Sequence, residues 1–582
     1  MADTIKILLS DLTYPRVSIS PLPVPYGIGE LAVYLKRQIR DNIEVDLVRT
    51  TDRFYQKIEN TQYDIFGFSH YIWNAVLSRT CAQHVRSLFP KSVLVLGGPH
   101  IPIHSINQEK YLRSLPEFDF FIEKEGERAF LNLIQKLILC GLDAEQIKET
   151  KINSARFFKE GKFIFYPLED RLVNLDEIGS PYTEGLMDEF LDDGFIPIVE
   201  NNRGCPFSCA YCGKGEFYHN RVAHHSLDFL RREYEYIARK MATLKHLPFS
   251  DALYFADSNT GMYEQDLQIC QFLKELQSRY GWPRRIITST GKDLKEKALE
   301  CIDLLNGALM LTASVQSTDP EVLRNIKRHN IPSERIMSIA KGRGENLRSF
   351  SEIILGLPGD SYEKHLQSIL DMMNACINEI RIGQLMILPD TVMAAPGYKE
   401  KYQLKTKYRL LTKGFEKVRV GNTFKLAIEY EEICVGTEYM SFDDYVRCRV
   451  LGLLVNIFYN NIFSSETFRI FQMSEVPVSE YFRRIVSLQK GDGIDALVQD
   501  FCALVKGELF DSARDISTFI ERENNYEKLH RKEIGLNLLY YFSDKARTYS
   551  SDLITLGKNA AVDLRKGGIA SAIEKDLNAY YV

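Results

Sequence analysis

The chain has 582 residues, 45% of them hydrophobic and 26% charged, with a formal net charge of −5. That length predicts about two to four domains, and the composition is that of an ordinary globular chain. The slight negative charge excludes bulk attraction to nucleic acid or to an anionic membrane. Eleven cysteines, an odd number and widely scattered, do not make a disulfide framework. The opening Met-Ala-Asp-Thr-Ile-Lys lacks the basic segment and long apolar core of a secretory signal. The most apolar helical stretch, 450–463, is interrupted by Gly452, Asn456 and Asn460 and is too short to span a bilayer. The expected compartment is therefore reducing cytoplasm, with no membrane and no nucleic acid as partner.

Residues 1–145 alternate strands and helices. Apolar runs at 5–9, 45–48, 64–69, 92–97 and 118–122 predict five buried strands. Ile28, Leu31, Ala32, Leu35 and Ile39 mark one face of a helix between the first two. Such alternation predicts an open, doubly wound parallel sheet, which binds ligands beyond the carboxyl ends of its strands. The unusual residues fall there: Ser69 and His70 after the third strand, Gly97, Gly98 and His100 after the fourth, Glu125 and Gly126 after the fifth. Residues 146–195 hold short alternating segments and acidic clusters, and read as a linker.

A second strand–helix series begins at 195–200 and runs at once into Gly-Cys205-Pro-Phe-Ser-Cys209-Ala-Tyr211-Cys212-Gly. This C-x3-C-x2-C run brings three thiolates to one locus, and thiolates are the ligands of iron–sulfur clusters. A cubane cluster has four irons, so three protein ligands leave one iron open for chemistry. A zinc knuckle is the alternative. His219, His224 and His225 follow Cys212 by 7, 12 and 13 residues, so spacing alone leaves zinc open. Leu227, Leu230, Tyr234, Ile237 and Met241 then mark a helical face. Further strands are predicted at 253–256, 285–288, 309–314, 352–355 and 383–388.

Polar residues and glycines sit at the ends of these strands. Asp257, Ser258 and Asn259 end the second, Ser314 and Gln316 the fourth, and Gly356 the fifth. Arg328 lies in the helical stretch after the fourth. Asp360 with Glu363 predicts a capping box on the next helix. Residues 401–582 read as mostly helical, with Glu429–Cys434 and paired tyrosines at 540 and 580 among their notable features.

The cysteine run, Tyr211 included, resembles the cluster motif of the radical S-adenosylmethionine (SAM) superfamily. The preceding Pro25-Tyr-Gly-Ile-Gly-Glu-Leu-Ala32, Gly67-Phe-Ser69, Gly97-Gly-Pro-His100 and Lys124-Glu-Gly-Glu127 resemble the cobalamin-binding domain of its largest branch. Two departures are visible. Lys124 stands where that branch usually has Gly, and Asp390 of Pro389-Asp-Thr391 stands where it often has the Gly of Pro-Gly-Thr.

The resemblance implies three modules: a cobalamin-binding Rossmann-like domain at 1–145, a (β/α)6 partial TIM barrel at 196–400, and a mostly helical domain at 401–582. It implies a 4Fe-4S cluster on Cys205, Cys209 and Cys212. It implies SAM near Tyr211, Asp257, Ser258, Asn259, Ser314, Gln316, Arg328 and Gly356. It implies cobalamin near Ser69, His70, Gly97, Gly98, His100, Glu125 and Gly126. No Asp-x-His-x-x-Gly motif is present, so no protein histidine is expected on cobalt. The implied activity is cobalamin-dependent radical methyl transfer to an unactivated carbon of a small molecule, with an electron donor of the flavodoxin or ferredoxin type. Non-methylating radical chemistry with the same cofactors is one alternative. A cobalamin-binding sensor or scaffold, or a flavodoxin-like domain without corrin, is another.

Overall fold

The computed structural model describes residues 4–14, 22–39, 42–291, 295–331, 349–460, 462–488, 494–522, 524–562, 564 and 568–582. The chain divides into two compact units. One comprises Met1–Thr288, Leu388–Pro396 and Leu410–Glu431, and the other comprises Ser289–Ile387, Gly397–Arg409 and Glu432–Val582.

The first unit opens with β1 (Ile5–Thr13), α1 (Tyr26–Gln38), β2 (Ile43–Thr50), α2 (Thr51–Asn60), β3 (Ile65–Ser69), α3 (Ala75–Leu88), β4 (Val93–Gly97), α4 (Ser105–Arg113), β5 (Phe120–Ile122) and α5 (Glu127–Leu139). The five strands are parallel, in the order β2-β1-β3-β4-β5. Every residue of β3 is buried, as a central strand covered on both faces requires. Gly67 at its middle is needed for packing, because a Cβ there would lie 2.6 Å from the Leu9 side chain. The strand order reverses between β1 and β3, and the carboxyl ends at that point form the usual ligand crevice of such sheets.

The stretch read as a linker holds more structure than that. Ala155–Lys159 and Lys162–Phe165 form β6 and β7, which extend the sheet past β5 by antiparallel pairing. Phe157 is fully buried against Phe120, a cross-strand aromatic contact that ties this ribbon to the sheet.

All six strands expected of the barrel are present, as two parallel sheets of three. In the first unit β8 (Ile198–Val199) is followed by β9 (Asn202–Arg203) and β10 (Ala223–His224), which pair with each other. Next come β11 (Ala252–Phe255) and β12 (Arg285–Ile287), and the sheet order is β12-β11-β8. In the second unit β13 (Leu311–Thr312), β14 (Ser349–Leu355) and β15 (Glu379–Gln384) lie in that order. The last strand starts and ends about four residues earlier than its apolar run suggested. The helix after β14, Tyr362–Asn374, is capped by Ser361, whose side chain accepts from Lys364 N, and not by the expected Asp360. Asp360 instead accepts from Gly356 N at 3.3 Å and Ser361 N at 3.0 Å, pinning the strand-to-helix turn.

The C-terminal third begins with a long hairpin, β16 (Lys405–Val420) and β17 (Thr423–Gly436), joined through Gly421 at φ +58°. Helices follow from Phe442–Phe458 to Ile569–Tyr581 and enclose the second core around Leu454, Phe458, Phe501 and Ile573. Among the described residues, no helix is long and apolar enough to cross a membrane.

The middle of the hairpin belongs to the first unit. Val418 and Ala427 join its core with Leu8, Phe66 and Leu94. Glu429 is fully buried, and its carboxyl accepts from Tyr14 Oη at 2.7 Å and from the backbone N–H groups of Val76 and Leu77 at 3.0 Å. Asn74, the residue at the N-terminus of α3, makes no cap there, so Glu429 supplies the cap from a distant strand. Glu429→Ala should lower stability by about 2 kcal/mol, from a lost cap and an orphaned Tyr14 hydroxyl. Burial pushes the Glu429 carboxyl up from 4.5 to about 7 despite these donors. The folded state therefore holds a proton that the unfolded chain releases, and stability falls as pH rises between those values. The drop from this group is at most about 3 kcal/mol. Denaturant titrations from pH 4 to 8 should show that slope in the wild type and lose it in Glu429→Gln.

Candidate active site

The cluster loop springs from the β9–β10 pair. Gly204, at φ +120°, starts it where a side chain would strike the backbone, since a Cβ would lie 2.3 Å from Arg221 O. The loop is held by its own backbone: Cys205 N donates to His219 O at 2.8 Å, Cys212 N to Cys209 O at 3.1 Å, and Gly215 N to Cys212 O at 2.8 Å. Cys205 and Cys209 are buried, and Cys212 and Tyr211 are half-buried. Asn259 Nδ2 lies 3.4 Å from Cys205 Sγ, an amide donor of the kind that tunes cluster sulfurs. Three thiols on one backbone-braced loop with a donor beside them fit a cubane cluster.

Asp257 does structural work next to the loop. Its carboxyl accepts from Asn201 N at 2.9 Å, Asn201 Nδ2 at 2.7 Å and Asn202 N at 3.2 Å, fixing the strand that leads into the cysteines. Burial pushes it up to about 7 in spite of these donors. Ser258 is half-buried, and Asn259 is buried with its Oδ1 lacking a partner.

The remaining residues expected near SAM lie in the second unit. Ser314 Oγ donates to Glu352 at 2.7 Å, while Ser314 O accepts from Arg328. Gln316, at φ +64°, bridges to β14 through its backbone. Gly356, at φ +86°, ends β14, and a Cβ there would lie 3.4 Å from Cys434. Arg328 thus joins the end of the fourth strand, and Gly356 belongs to the neighbouring strand end.

In the first unit a cavity of about 510 Å3 opens beyond the carboxyl edge of the parallel sheet. Ser69, Gly97 and Gly98 line one part of it, Glu125 and Gly126 another, and Cys212 with Gly213 of the cluster loop a third. The crevice of the sheet and the cysteine loop therefore share one space. Its walls are largely apolar and glycine backbone, such as Leu9, Ile28, Val95 and Ile122, which suits a large flat cofactor. Gly98 has a second reason to be glycine: at φ +139°, a Cβ would lie 2.5 Å from His70 O.

His70 and His100 are not among the cavity's lining residues. Their rings pack edge to face at 5.2 Å, and His70 Nε2 is 2.6 Å from Tyr111 Oη. Burial holds both below the usual histidine range, His100 at about 4.

Three residues that line this space, Asp11, Glu30 and Arg203, were not site candidates in the sequence, and His219, weighed there only as a zinc ligand, lines it too. Asp11 accepts from Ser69 Oγ at 2.6 Å. His219 is held at about 3 by burial and by Lys214 and Lys124. Glu30 and Arg203 form part of a buried ion network: Arg203 donates to Glu200 at 2.7 Å, Glu127 at 2.8 Å and Glu30 at 3.2 Å. Only the charge of Arg203, directly before Gly204-Cys205, could have flagged it. Asp390, noted as a departure in sequence, also lines the cavity beside Gly213, and burial pushes it up to about 6.

A cysteine loop beyond a short parallel strand thus shares one cavity with the carboxyl edge of a doubly wound sheet. Residues 201–372 match the family described as the Radical SAM superfamily. The chain is 28% identical over 357 residues to "Cobalamin-dependent radical SAM methyltransferase TokK" of Streptomyces tokunonensis, covering 59% of this chain and 50% of that protein. It is 28% identical over 418 residues to 2-(S-pantetheinyl)-carbapenam-3-carboxylate methyltransferase of Streptantibioticus cattleyicolor, covering 69% and 58%. The chain thus spans between half and three-fifths of the length of these curated relatives. The solved structure of the cobalamin-dependent SAM radical enzyme OxsB, with aqua-cobalamin and SAM bound, shares the fold: TM-score 0.55 at 15% identity, over 99% of this chain and 81% of that one.

Proposed function

We propose that this protein is a cobalamin-dependent radical SAM methyltransferase acting on an unactivated carbon of a small molecule. The observation that carries the reading is the shared cavity, in which Gly97 and Gly98 of the sheet edge and Cys212 of the cluster loop line one space. Methyl transfer to carbon needs the site of hydrogen abstraction and the methyl donor within reach of the same substrate atom. When bound, the cluster supplies the electron that cleaves SAM, and cobalamin carries the methyl group. Cys205, Cys209 and Cys212 would hold the cluster, with Asn259 donating to Cys205. Ser69, Gly97, Gly98, Glu125 and Gly126 would line the corrin face, and the apolar walls would exclude water. Tyr211 and Ser258 near the loop, with Ser314, Gln316, Arg328 and Gly356, keep the SAM assignment that the family resemblance implies. The relatives named as methyltransferases support this reading. The oxygen-labile chemistry of such clusters would in turn call for a reducing compartment and a flavodoxin- or ferredoxin-type donor.

The test is anaerobic incubation of the reconstituted, cobalamin-loaded chain with methyl-labelled SAM and a reductant. Deoxyadenosine and labelled cobalamin are the expected products. Deoxyadenosine without labelled cobalamin would favour non-methylating chemistry. Neither product from a fully loaded cluster would leave a sensor or scaffold.

A further inference from the structure

The Arg203 network is short of positive charge. Three carboxylates, those of Glu30, Glu127 and Glu200, meet one guanidinium, and all four side chains are at least nine-tenths buried. Glu125, nearby, is matched by its own partner Arg171. Buried anions without counter-charge are expensive, so something else must balance the group.

His225 points to what that is. Its Nδ1 is 3.0 Å from Asp176 Oδ1, and its ring stacks on Phe229 at 4.2 Å, so tautomer and plane are both fixed. With Nδ1 carrying the proton toward Asp176, Nε2 presents a lone pair. That Nε2 is buried, without a hydrogen-bond partner, on a side chain only 1% exposed. Among the described residues, His225, Glu30 and Glu200 form the group whose ligand atoms lie within 4.8 Å of one another. Among the described residues nothing donates to this lone pair, and a metal ion is a partner that an imidazole beside two carboxyl groups suits. A carboxylate orienting the far nitrogen of a metal-binding histidine is the usual outer-shell arrangement. The sequence left His225 open as a zinc ligand beside the cysteines; the fold sets it against carboxylates instead.

We infer that Glu30, Glu200 and His225 bind one divalent transition-metal ion of the Zn2+ or Mn2+ kind, separate from the iron–sulfur cluster. The mixed nitrogen and oxygen donors suit such ions. Two further positive charges would balance the three carboxylates and Arg203. The ion would join α1 to the segment that enters the cluster loop, so its role is to fix the wall of the cavity.

The test uses the full chain with its cluster installed, so that the cysteines are occupied, titrated with Mn2+ and followed by the paramagnetic resonance of the free ion. One Mn2+ per chain should bind and be displaced by Zn2+. His225→Ala should abolish that binding with iron and sulfide content unchanged, and Asp176→Ala should weaken it about 10- to 100-fold. Should His225→Ala fail to fold, Glu200→Gln serves in its place, and chelation of the wild type should lower its melting temperature. Absence of a tight equivalent in the wild type would overturn the site and leave protons as the balancing charge. Binding unchanged by both ligand substitutions would also overturn it.

Discussion

Cys209→Ala should yield a folded chain that carries fewer than about one iron instead of about four and cleaves SAM only at background. The backbone of residue 209 has its own duties, accepting from Cys212 N at 3.1 Å and lying so close to Gly215 that a Cβ there would come within 2.1 Å of Cys209 O. Alanine keeps all of that and removes only the thiolate. A site left with Cys205 and Cys212 cannot hold a cubane with one open iron. Iron and sulfide analysis, the reduced-cluster resonance spectrum and deoxyadenosine yield give three independent readings. Cys502→Ala, a half-buried cysteine in a C-terminal helix, is the control and should change none of them. Full iron and unchanged SAM cleavage in Cys209→Ala would sink the cluster assignment.

The second large effect is expected at Arg203. Removing the guanidinium with alanine strands Glu30, Glu127 and Glu200 in a buried setting, a loss of about 3–5 kcal/mol for breaking one side of such a network. Arg203→Lys keeps the charge but not the fork that reaches three carboxylates at once, so it should fall between wild type and alanine. Chemical denaturation of the chain measures both. Combining Arg203→Ala with Glu30→Gln should cost less than the sum of the two single changes, because the second removes part of the charge that the first exposes. Strict additivity would mean that the two groups do not interact.

Some of this was legible from sequence and some was not, for reasons that differ by residue. The central strands announce themselves, since runs such as Ile-Phe-Gly-Phe-Ser are buried on both faces and need no partner to be recognised. The cysteine loop is equally local: three cysteines within eight residues. The ion network is the opposite case, because Glu30 and Arg203 are 173 positions apart and neither carries a local signature. The Tyr14–Glu429 contact spans 415 positions. The hairpin at 405–436 was hidden inside a stretch read as mostly helical. Most residues of β16 are half-buried, so its apolar and charged residues mix without a clean two-residue alternation. Asp257 and His70 look like ligand-binding residues because polar groups at strand ends often are. Asp257 spends its acceptors on Asn201 and Asn202, and His70 is engaged with Tyr111 and His100.

The first unit is discontinuous along the chain, and that bears on how the protein is made. Its seven-stranded sheet, its cysteine loop and its three-stranded parallel sheet are all translated by Thr288, yet the cap on α3 and two of its core residues arrive only with Leu410–Glu431. At about 5–20 residues per second, the ribosome needs about 7–30 s more to deliver them. During that interval the N-terminus of α3 lacks its carboxylate and the Tyr14 hydroxyl has no acceptor. A nascent chain halted between residues 300 and 400 should therefore be more open to protease than one halted at 470. The first unit does not finish folding first, although most of it is synthesised first.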